Sequence, residues 1–126
     1  MIRLILLVGT GGFLGTVARF MTSRYFAAYF PSSFPYGTFV VNVVGCFLIG
    51  LIYGISEKGN FMSTEWRLIL TVGFCGGFTT FSAFAAENMA MLRDNELFNF
   101  FLYTGSSIFI GLLATFAGIM LIKILL

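Results

Sequence analysis

The chain has 126 residues, of which 59% are hydrophobic and only 10% are charged, and its formal net charge is +2. Soluble domains usually carry about 25% charged residues, so this composition indicates a small integral membrane protein. The near-neutral charge argues against a polybasic surface and against a nucleic-acid interface.

Four membrane spans are predicted from the apolar runs and from the charged residues between them. Their approximate ranges are residues 4–26, 36–55, 66–92 and 97–126. The first run lacks a small-residue cleavage site and three more runs follow it, so we interpret it as a span rather than a removed signal peptide. The predicted fold is therefore one all-α integral membrane domain of four transmembrane helices over residues 1–126.

Span one combines small residues with a cation at membrane depth. Gly11, Gly12 and Gly15 favour close helix packing, although glycine is common in membrane helices. Arg19 lies near the far end of the span. Two interpretations stay open for it: its long side chain reaches back to the membrane interface, or its charge lies at the mouth of a pore.

Span two is apolar on both sides of a single amide residue, Asn42. A buried amide commonly bridges helices by hydrogen bonding. In the alternative interpretation, the NH2 group of Asn42 is a neutral donor that faces an anion path. Gly50 and Gly54, separated by three residues, again favour close packing of this span.

Span three contains the most informative stretch, GFCGGFTTFSAF at residues 73–84. Gly73, Gly76 and Gly77 weaken a helix, since glycine costs roughly 1 kcal/mol relative to alanine. Irregular backbone at bilayer depth survives only where protein buries it or where it lines a polar cavity. We therefore expect the third helix to be broken at its centre and to carry an ion or substrate site there.

The residues around this predicted break offer two kinds of ligand. Backbone carbonyls of residues 76–79, doubled across a two-fold axis, would form an oxygen cage for a small cation such as Na+. Phe81 and Phe84 offer ring edges that, with hydroxyl or amide donors, replace part of an anion's hydration without trapping it. The hydroxyls of this stretch belong to Thr79, Thr80 and Ser82.

Polar residues continue beyond the break. For Glu87 three interpretations stay open: pairing with a neighbouring hydroxyl, carrying protons, or lying in a wet vestibule. In span four, small and hydroxyl-bearing residues recur every four positions and so share one helical face; they are Tyr103, Ser107, Gly111 and Thr115. Such a face suits a tight helix interface, a track of hydroxyl donors, or both.

The two cysteines, Cys46 and Cys75, both lie inside apolar segments. The chain has no CxxC pair and no histidine. We interpret both cysteines as small buried residues rather than as a disulfide or a metal site.

The loop charges give almost no bias toward one orientation in the membrane. The cations on the side of the two termini are Arg3, Lys58, Arg67 and Lys123, and those on the opposite side are Arg19, Arg24 and Arg93. Either one orientation is set by Lys58 or by a partner, or copies insert both ways and pair antiparallel. Four helices enclose little of a pathway, so an oligomer is expected.

Three segments carry a family resemblance: GGFLGTVARF at residues 11–20, GTFVVNVVGCFLIG at 37–50 and GFCGGFTTFSAF at 73–84. The last is highly specific, and its spacing from Asn42 strengthens the match. Through them the chain resembles the Fluc-type (CrcB-like) fluoride ion channels over essentially its whole length. The resemblance implies an antiparallel, dual-topology homodimer with two fluoride pathways and a structural Na+ at its central interface. It also implies a non-enzymatic, passive, fluoride-selective export across a bacterial inner membrane, which protects the cell from fluoride.

Carried onto this chain, the resemblance implies that the backbone carbonyls of Gly76 and Thr79 bind the Na+. Arg19 and Glu87 would belong to the vestibule or to its supporting network. The implied fluoride-pathway residues are Asn42, Thr80, Phe81, Ser82, Phe84, Tyr103 and Ser107. The chain departs from the pattern at Gly111, where many relatives are expected to have serine, and this shortens the hydroxyl track.

Two other classes of protein compete with a channel. A small multidrug-type transporter is also built from four helices, but it needs a carboxylate deep in its first span, and span one here has no Asp or Glu. A non-conducting membrane subunit would explain the glycines but not the hydroxyls clustered at a predicted helix break. The sequence therefore favours the channel over the transporter, and the transporter over the scaffold.

Overall fold

The computed structural model describes residues 1–59 and 61–126, and Asn60 lies outside the described residues. Within these residues, four helical segments are long and apolar enough to cross a membrane. They are Ile2–Tyr29, Tyr36–Glu57, Thr64–Arg93 and Leu97–Leu125. The shortest has 22 residues, which at about 1.5 Å per residue spans the roughly 30 Å of a bilayer core. The prediction of an all-α protein with four spans is confirmed.

The first, second and fourth spans are single helices: α1 (Ile2–Tyr29), α2 (Tyr36–Glu57) and α6 (Leu97–Leu125). The third span has several parts. It begins with α3 (Thr64–Leu68), continues through a π-helical segment (Ile69–Cys75) and a single turn, α4 (Gly76–Phe78), and ends with α5 (Phe81–Arg93).

Thr79 and Thr80 lie between α4 and α5 with extended backbone angles, φ/ψ of −91°/159° and −152°/119°. The glycines that the sequence analysis associated with weak helix all precede this point. Gly73 lies in the π-helical segment, and Gly76 and Gly77 lie in α4. The threonine pair, rather than a glycine, therefore carries the extended backbone.

The glycines of this region allow α1 and the third span to approach closely. A Cβ atom on Gly77 would lie 2.5 Å from the Gly12 carbonyl oxygen, and a Cβ atom on Gly15 would overlap the carbonyl oxygen of Phe74. Such contacts leave no room for a methyl group, so two backbones meet where the sequence predicted close packing.

The contact between α2 and α6 is built in the same way. A Cβ atom on Gly50 would overlap the Thr115 carbonyl oxygen, and one on Gly118 would lie 2.5 Å from the Phe47 carbonyl oxygen. A Cβ atom on Gly54 would lie 2.9 Å from the Cβ atom of Ile122. The predicted packing role of Gly50 and Gly54 is therefore confirmed, with α6 as the partner helix.

Contacts at the two ends of the bundle agree with the predicted path of the chain. Arg3 and Glu65 form an exposed ion pair of 3.3 Å between the start of α1 and the start of α3. At the other end, the Asn99 amide donates to Ser33 Oγ over 2.8 Å, joining α6 to the loop after α1. The two termini and the loop before α3 therefore lie at one end of the bundle.

Candidate functional site

A cavity of about 350 Å³ lies where α2, α6 and the start of α5 meet. Its lining includes five of the predicted pathway residues, namely Asn42, Thr80, Phe81, Phe84 and Ser107. The other two predicted residues lie beside it. Tyr103 is fully buried, with its ring 4.9 Å from that of Phe84, and the exposed Ser82 has its Oγ 3.4 Å from Thr80 Oγ1.

Asn42 binds the backbone of Thr80 with both ends of its amide group. Its Nδ2 donates to the Thr80 carbonyl oxygen over 3.1 Å, and the Thr80 N–H donates to its Oδ1 over 2.8 Å. The helix-bridging interpretation of Asn42 therefore describes its contacts in the structure. The amide also lines the cavity, so the same side chain holds the extended backbone and contributes to the wall.

The hydrogen bonds around Thr80 leave two carbonyl groups without their helical donors. In a continuous α-helix the Thr80 N–H would donate to Gly76 and the Ala83 N–H would donate to Thr79. Here the Thr80 N–H is taken by Asn42, and the Ala83 N–H donates to Thr80 Oγ1 over 3.1 Å. Thr80 thus caps the start of α5, and the carbonyls of Gly76 and Thr79 are freed.

These freed oxygens are the group that the sequence analysis associated with Na+. Within residues 1–59 and 61–126 there is no group of three His, Cys, Asp or Glu side chains placed to hold a metal ion. Small hard cations prefer oxygen ligands, including backbone carbonyls. The backbone carbonyl oxygens of Gly76 and Thr79 are therefore suitable ligands for a sodium ion.

The Nε atom of Arg19 binds the backbone of the third span. That atom donates to the Gly77 carbonyl oxygen over 2.9 Å, in a partly buried position. The bond ties the far half of α1 to the turn just before the extended threonines. Both interpretations of Arg19 that the sequence left open stay predictions.

Phe81 and Phe84 lie at the start of α5 with ring centroids 5.8 Å apart and an angle of 40° between the rings. Phe84 is partly buried, whereas Phe81 is 78% exposed on the single chain. The two rings therefore form one wall of the cavity. The Phe81 ring is open to contact with lipid or with another protein chain.

Glu87 pairs with two hydroxyl groups. Thr38 Oγ1 donates to one carboxylate oxygen over 2.8 Å, and the Tyr103 hydroxyl donates to the other over 2.9 Å. Of the three interpretations of Glu87, hydroxyl pairing is the one that the contacts show. Glu87 and Thr38 also line a second cavity, of about 590 Å³, beneath the loop between α1 and α2.

The hydroxyl groups on the polar face of α6 differ in their hydrogen bonding, although their sequence spacing is regular. Thr115 Oγ1 donates to the carbonyl oxygens of Cys46 and Gly111, so this hydroxyl is occupied in packing α6 on α2. Among buried side-chain oxygen and nitrogen atoms of the described residues, Ser107 Oγ alone has no hydrogen-bond partner. The free hydroxyl of the cavity is therefore that of Ser107.

Two residues that support the site were missed by the sequence analysis. Thr38 lies one turn before Asn42 on the same face of α2, a spacing that could have indicated it. Asn88 is buried; it accepts from Thr104 Oγ1 over 3.0 Å and donates to the Phe84 carbonyl over 3.1 Å. It thereby joins α5 to α6 directly behind Phe84, a contact that depends on how the helices pack.

The two cysteines differ in burial: Cys75 is buried, as predicted, whereas Cys46 is half-buried. Cys46 and Cys75 are both free. Cys46 lies in the wall of the first cavity, and Cys75 offers its backbone carbonyl to Thr79. Neither thiol takes part in a disulfide.

Comparisons with known proteins point in one direction. Residues 6–119 match the family model described as "CrcB-like protein, Camphor Resistance (CrcB)". A protein of Flavobacterium psychrophilum named "Fluoride-specific ion channel FluC" is 44% identical over 96% of this chain and 98% of its own length. Proteins with the same name are 47% identical in Chlorobium phaeobacteroides (95% and 93% covered) and 48% identical in Chlorobium luteolum (94% and 92% covered).

Proposed function

Because this chain belongs to the CrcB-like family, we propose that it is a fluoride-specific ion channel through which fluoride leaves the cytoplasm passively. It is a multi-pass membrane protein, and its family consists of channels rather than enzymes. We place it in the inner membrane of a bacterium, where release of fluoride down its gradient would protect the cell from fluoride toxicity.

The observation that carries this proposal is the unpartnered Ser107 hydroxyl in a cavity walled by Phe81 and Phe84. A buried hydroxyl without a partner is unfavourable by about 1–3 kcal/mol, so it favours a ligand that accepts a hydrogen bond. Ring edges add a weakly positive surface. Neutral donors of this kind replace part of an anion's hydration and still let it go, which conduction requires.

The remaining pathway residues have supporting parts in this proposal. Asn42 and Thr80 hold the wall in place through their paired hydrogen bonds. Tyr103 backs the ring of Phe84 and joins it to Glu87, and Ser82 extends the polar surface at the start of α5. No lysine or arginine lines the cavity among the described residues, so a passing anion meets no permanent cation there.

The functional unit is proposed to be an antiparallel homodimer with one fluoride pathway on each side of its axis. Three observations support it: the large exposure of Phe81, the size of a single four-helix chain, and the nearly equal numbers of cations on its two sides. A second copy would cover the open wall of the cavity.

Labelling of a single cysteine introduced at the terminus tests the antiparallel arrangement. We expect about half of the molecules to react with a membrane-impermeant thiol reagent from each side of intact vesicles, once Cys46 and Cys75 are replaced. Labelling from one side only would contradict the antiparallel dimer. It would not contradict the channel function, which fluoride efflux tests separately.

A sodium ion is proposed at the centre of this dimer, held by the freed carbonyl oxygens of Gly76 and Thr79 from both copies. When bound, it would supply a fixed positive charge and a structural link between the two chains. Gly76 and Thr79 would hold it through backbone oxygen alone, and Thr80 and Asn42 would keep those oxygens free of helical donors.

Fluoride efflux from liposomes that contain only this protein tests the function. With potassium salts inside and valinomycin present to let potassium carry the balancing charge, we expect rapid release of trapped fluoride that is detected by a fluoride electrode. We expect no release of chloride from matched liposomes, because small neutral donors suit the smaller anion. Equal release of both anions would contradict fluoride selectivity, and release of neither would contradict a channel.

A further inference from the structure

Arg19 lies at the end of the α1 face that packs against the third span. Gly12 and Thr16 of this face contact Gly77, where an added Cβ would lie 2.5 Å from the Gly12 carbonyl oxygen and 2.9 Å from Thr16 Oγ1. Arg19 follows Thr16 by three positions and continues the same face. The close packing of α1 against α4 therefore fixes the position of the Arg19 Cα atom relative to the Gly77 carbonyl.

The bond from Arg19 satisfies a carbonyl that the interruption of the helix would otherwise leave without a donor. In a continuous helix the Gly77 carbonyl would accept from the N–H of Phe81, but the extended residues Thr79 and Thr80 lie between the two helices. Arg19 Nε supplies the replacement donor at 2.9 Å. Three side-chain groups thus reorganise the hydrogen bonds here: those of Arg19, Asn42 and Thr80.

The carbonyl of Gly77 lies in the chain between the two proposed cation ligands, Gly76 and Thr79. Gly76 and Gly77 lack side chains, so the peptide groups around them rotate more easily than those of other residues. An unsatisfied Gly77 carbonyl would turn toward any nearby cation and would carry the neighbouring peptide with it. A donor on the α1 side prevents that rotation.

We propose that Arg19 is a positioning residue for the cation site: by binding the Gly77 carbonyl it holds this oxygen against α1 and keeps the Gly76 and Thr79 oxygens oriented for Na+. This inference rests on the cation site of the proposed function. It assigns the action of Arg19 to a directed N–H donor, not to its positive charge, which would by itself repel a neighbouring cation.

Two substitutions separate a hydrogen-bond donor at the position of Arg19 Nε from the positive charge. In Arg19→Gln the amide nitrogen stands the same number of bonds from the backbone as Arg Nε, so the donor is kept and the charge is lost. In Arg19→Lys the charge is kept, but a methylene group replaces Nε and the ammonium lies one bond farther out. Arg24→Lys is the matched control, because Arg24 lies on the same helix and stacks over the Phe20 ring at 5.8 Å.

The measurement is the thermal unfolding midpoint of each purified full-length protein in detergent, as NaCl replaces N-methylglucamine chloride at constant ionic strength. We expect Arg19→Lys to raise the sodium concentration for half-maximal stabilisation by about tenfold, which corresponds to about 1.4 kcal/mol. Arg19→Gln and Arg24→Lys should stay within about threefold of the parent protein, or about 0.7 kcal/mol.

The reverse order, with Arg19→Gln shifted and Arg19→Lys unchanged, would overturn the proposal in favour of a charge effect. If Arg19→Lys does not fold, Arg19→Gln alone decides: a sodium requirement near that of the parent supports the donor role, and a tenfold shift contradicts it. A parent protein without any sodium-dependent stabilisation would overturn both this inference and the cation site, whereas fluoride efflux tests the channel independently.

Discussion

Replacing Asn42 with aspartate is expected to lower fluoride flux by at least about tenfold, equivalent to about 1.4 kcal/mol. Asn42 donates from Nδ2 to the Thr80 carbonyl over 3.1 Å and accepts from the Thr80 N–H over 2.8 Å. An aspartate carboxylate still accepts from the Thr80 N–H, but it cannot donate to the Thr80 carbonyl. One carboxylate oxygen would instead face that carbonyl oxygen and repel it. It also brings a negative charge into the wall that the anion passes, where a unit charge at about 4 Å is worth on the order of 4 kcal/mol.

The flux is measured in liposomes with equal amounts of folded protein, as judged by size-exclusion chromatography in detergent. Asn95→Asp is the matched control, because Asn95 lies in the exposed turn after α5 with φ of 62°, a conformation that aspartate also tolerates. The control should conduct like the parent. Normal flux through a folded Asn42→Asp protein would remove Asn42 from the pathway.

Replacing Gly15 with alanine is expected to destabilise the protein by about 2 kcal/mol or more. The added Cβ would overlap the Phe74 carbonyl oxygen and lie 2.9 Å from the Phe78 nitrogen, both of which are backbone atoms of the third span. Neither atom moves away unless α1 separates from the π-helical segment and α4. That separation would also pull Arg19 away from Gly77, so fluoride flux should fall together with stability.

Gly9→Ala provides a control on the same helix. A Cβ atom on Gly9 meets nothing within 4 Å, so this change should alter the free energy of unfolding by no more than about 0.5 kcal/mol. Thermal unfolding of both variants in the same detergent gives the comparison. Equal midpoints for the two variants would show that α1 does not pack against the third span as described.

The membrane spans were predictable because a bilayer imposes a length and a composition on each helix. Helices α1 and α2 extend two or three residues beyond the predicted ranges, since end residues can continue a helix into the interface, whereas α6 begins at the predicted residue and ends one residue earlier. The partner surfaces of Gly50 and Gly54 were not predictable. Their small size indicates close approach, but only the tertiary structure shows that Thr115 and Ile122 occupy the opposite side.

The candidate site was predictable in its residue types but not in its bonds. Asn42 stood out as an amide in an apolar span, yet nothing in the sequence shows that it binds both backbone groups of Thr80. The same holds for Arg19, whose acceptor is a backbone carbonyl and so leaves no trace in the pattern of side chains. Residues that act on backbone groups are therefore the ones that sequence patterns describe least well.

The glycine-rich stretch illustrates the difference between composition and packing. Glycine was expected to mark irregular backbone, but Gly73 and Gly77 are helical and face α1, with added Cβ atoms 2.7 Å from the Val8 oxygen and 2.5 Å from the Gly12 oxygen. The extended angles fall instead on Thr79 and Thr80. The N–H and hydroxyl of Thr79 donate to the Cys75 carbonyl, and the Thr80 N–H donates to Asn42, so only the Thr79 carbonyl is left free. Tertiary hydrogen bonds thus outweigh helix propensity in fixing the irregular backbone.

Fluoride efflux under a controlled membrane potential tests the central claim most directly. Liposomes loaded with potassium fluoride and containing only this protein are diluted into potassium-free medium, and valinomycin then allows potassium to carry the balancing charge. A passive fluoride channel should release fluoride only once valinomycin is present, at the same rate with or without a pH gradient, and should retain chloride. Release that requires a pH gradient and ignores valinomycin would contradict the channel and indicate proton-coupled transport.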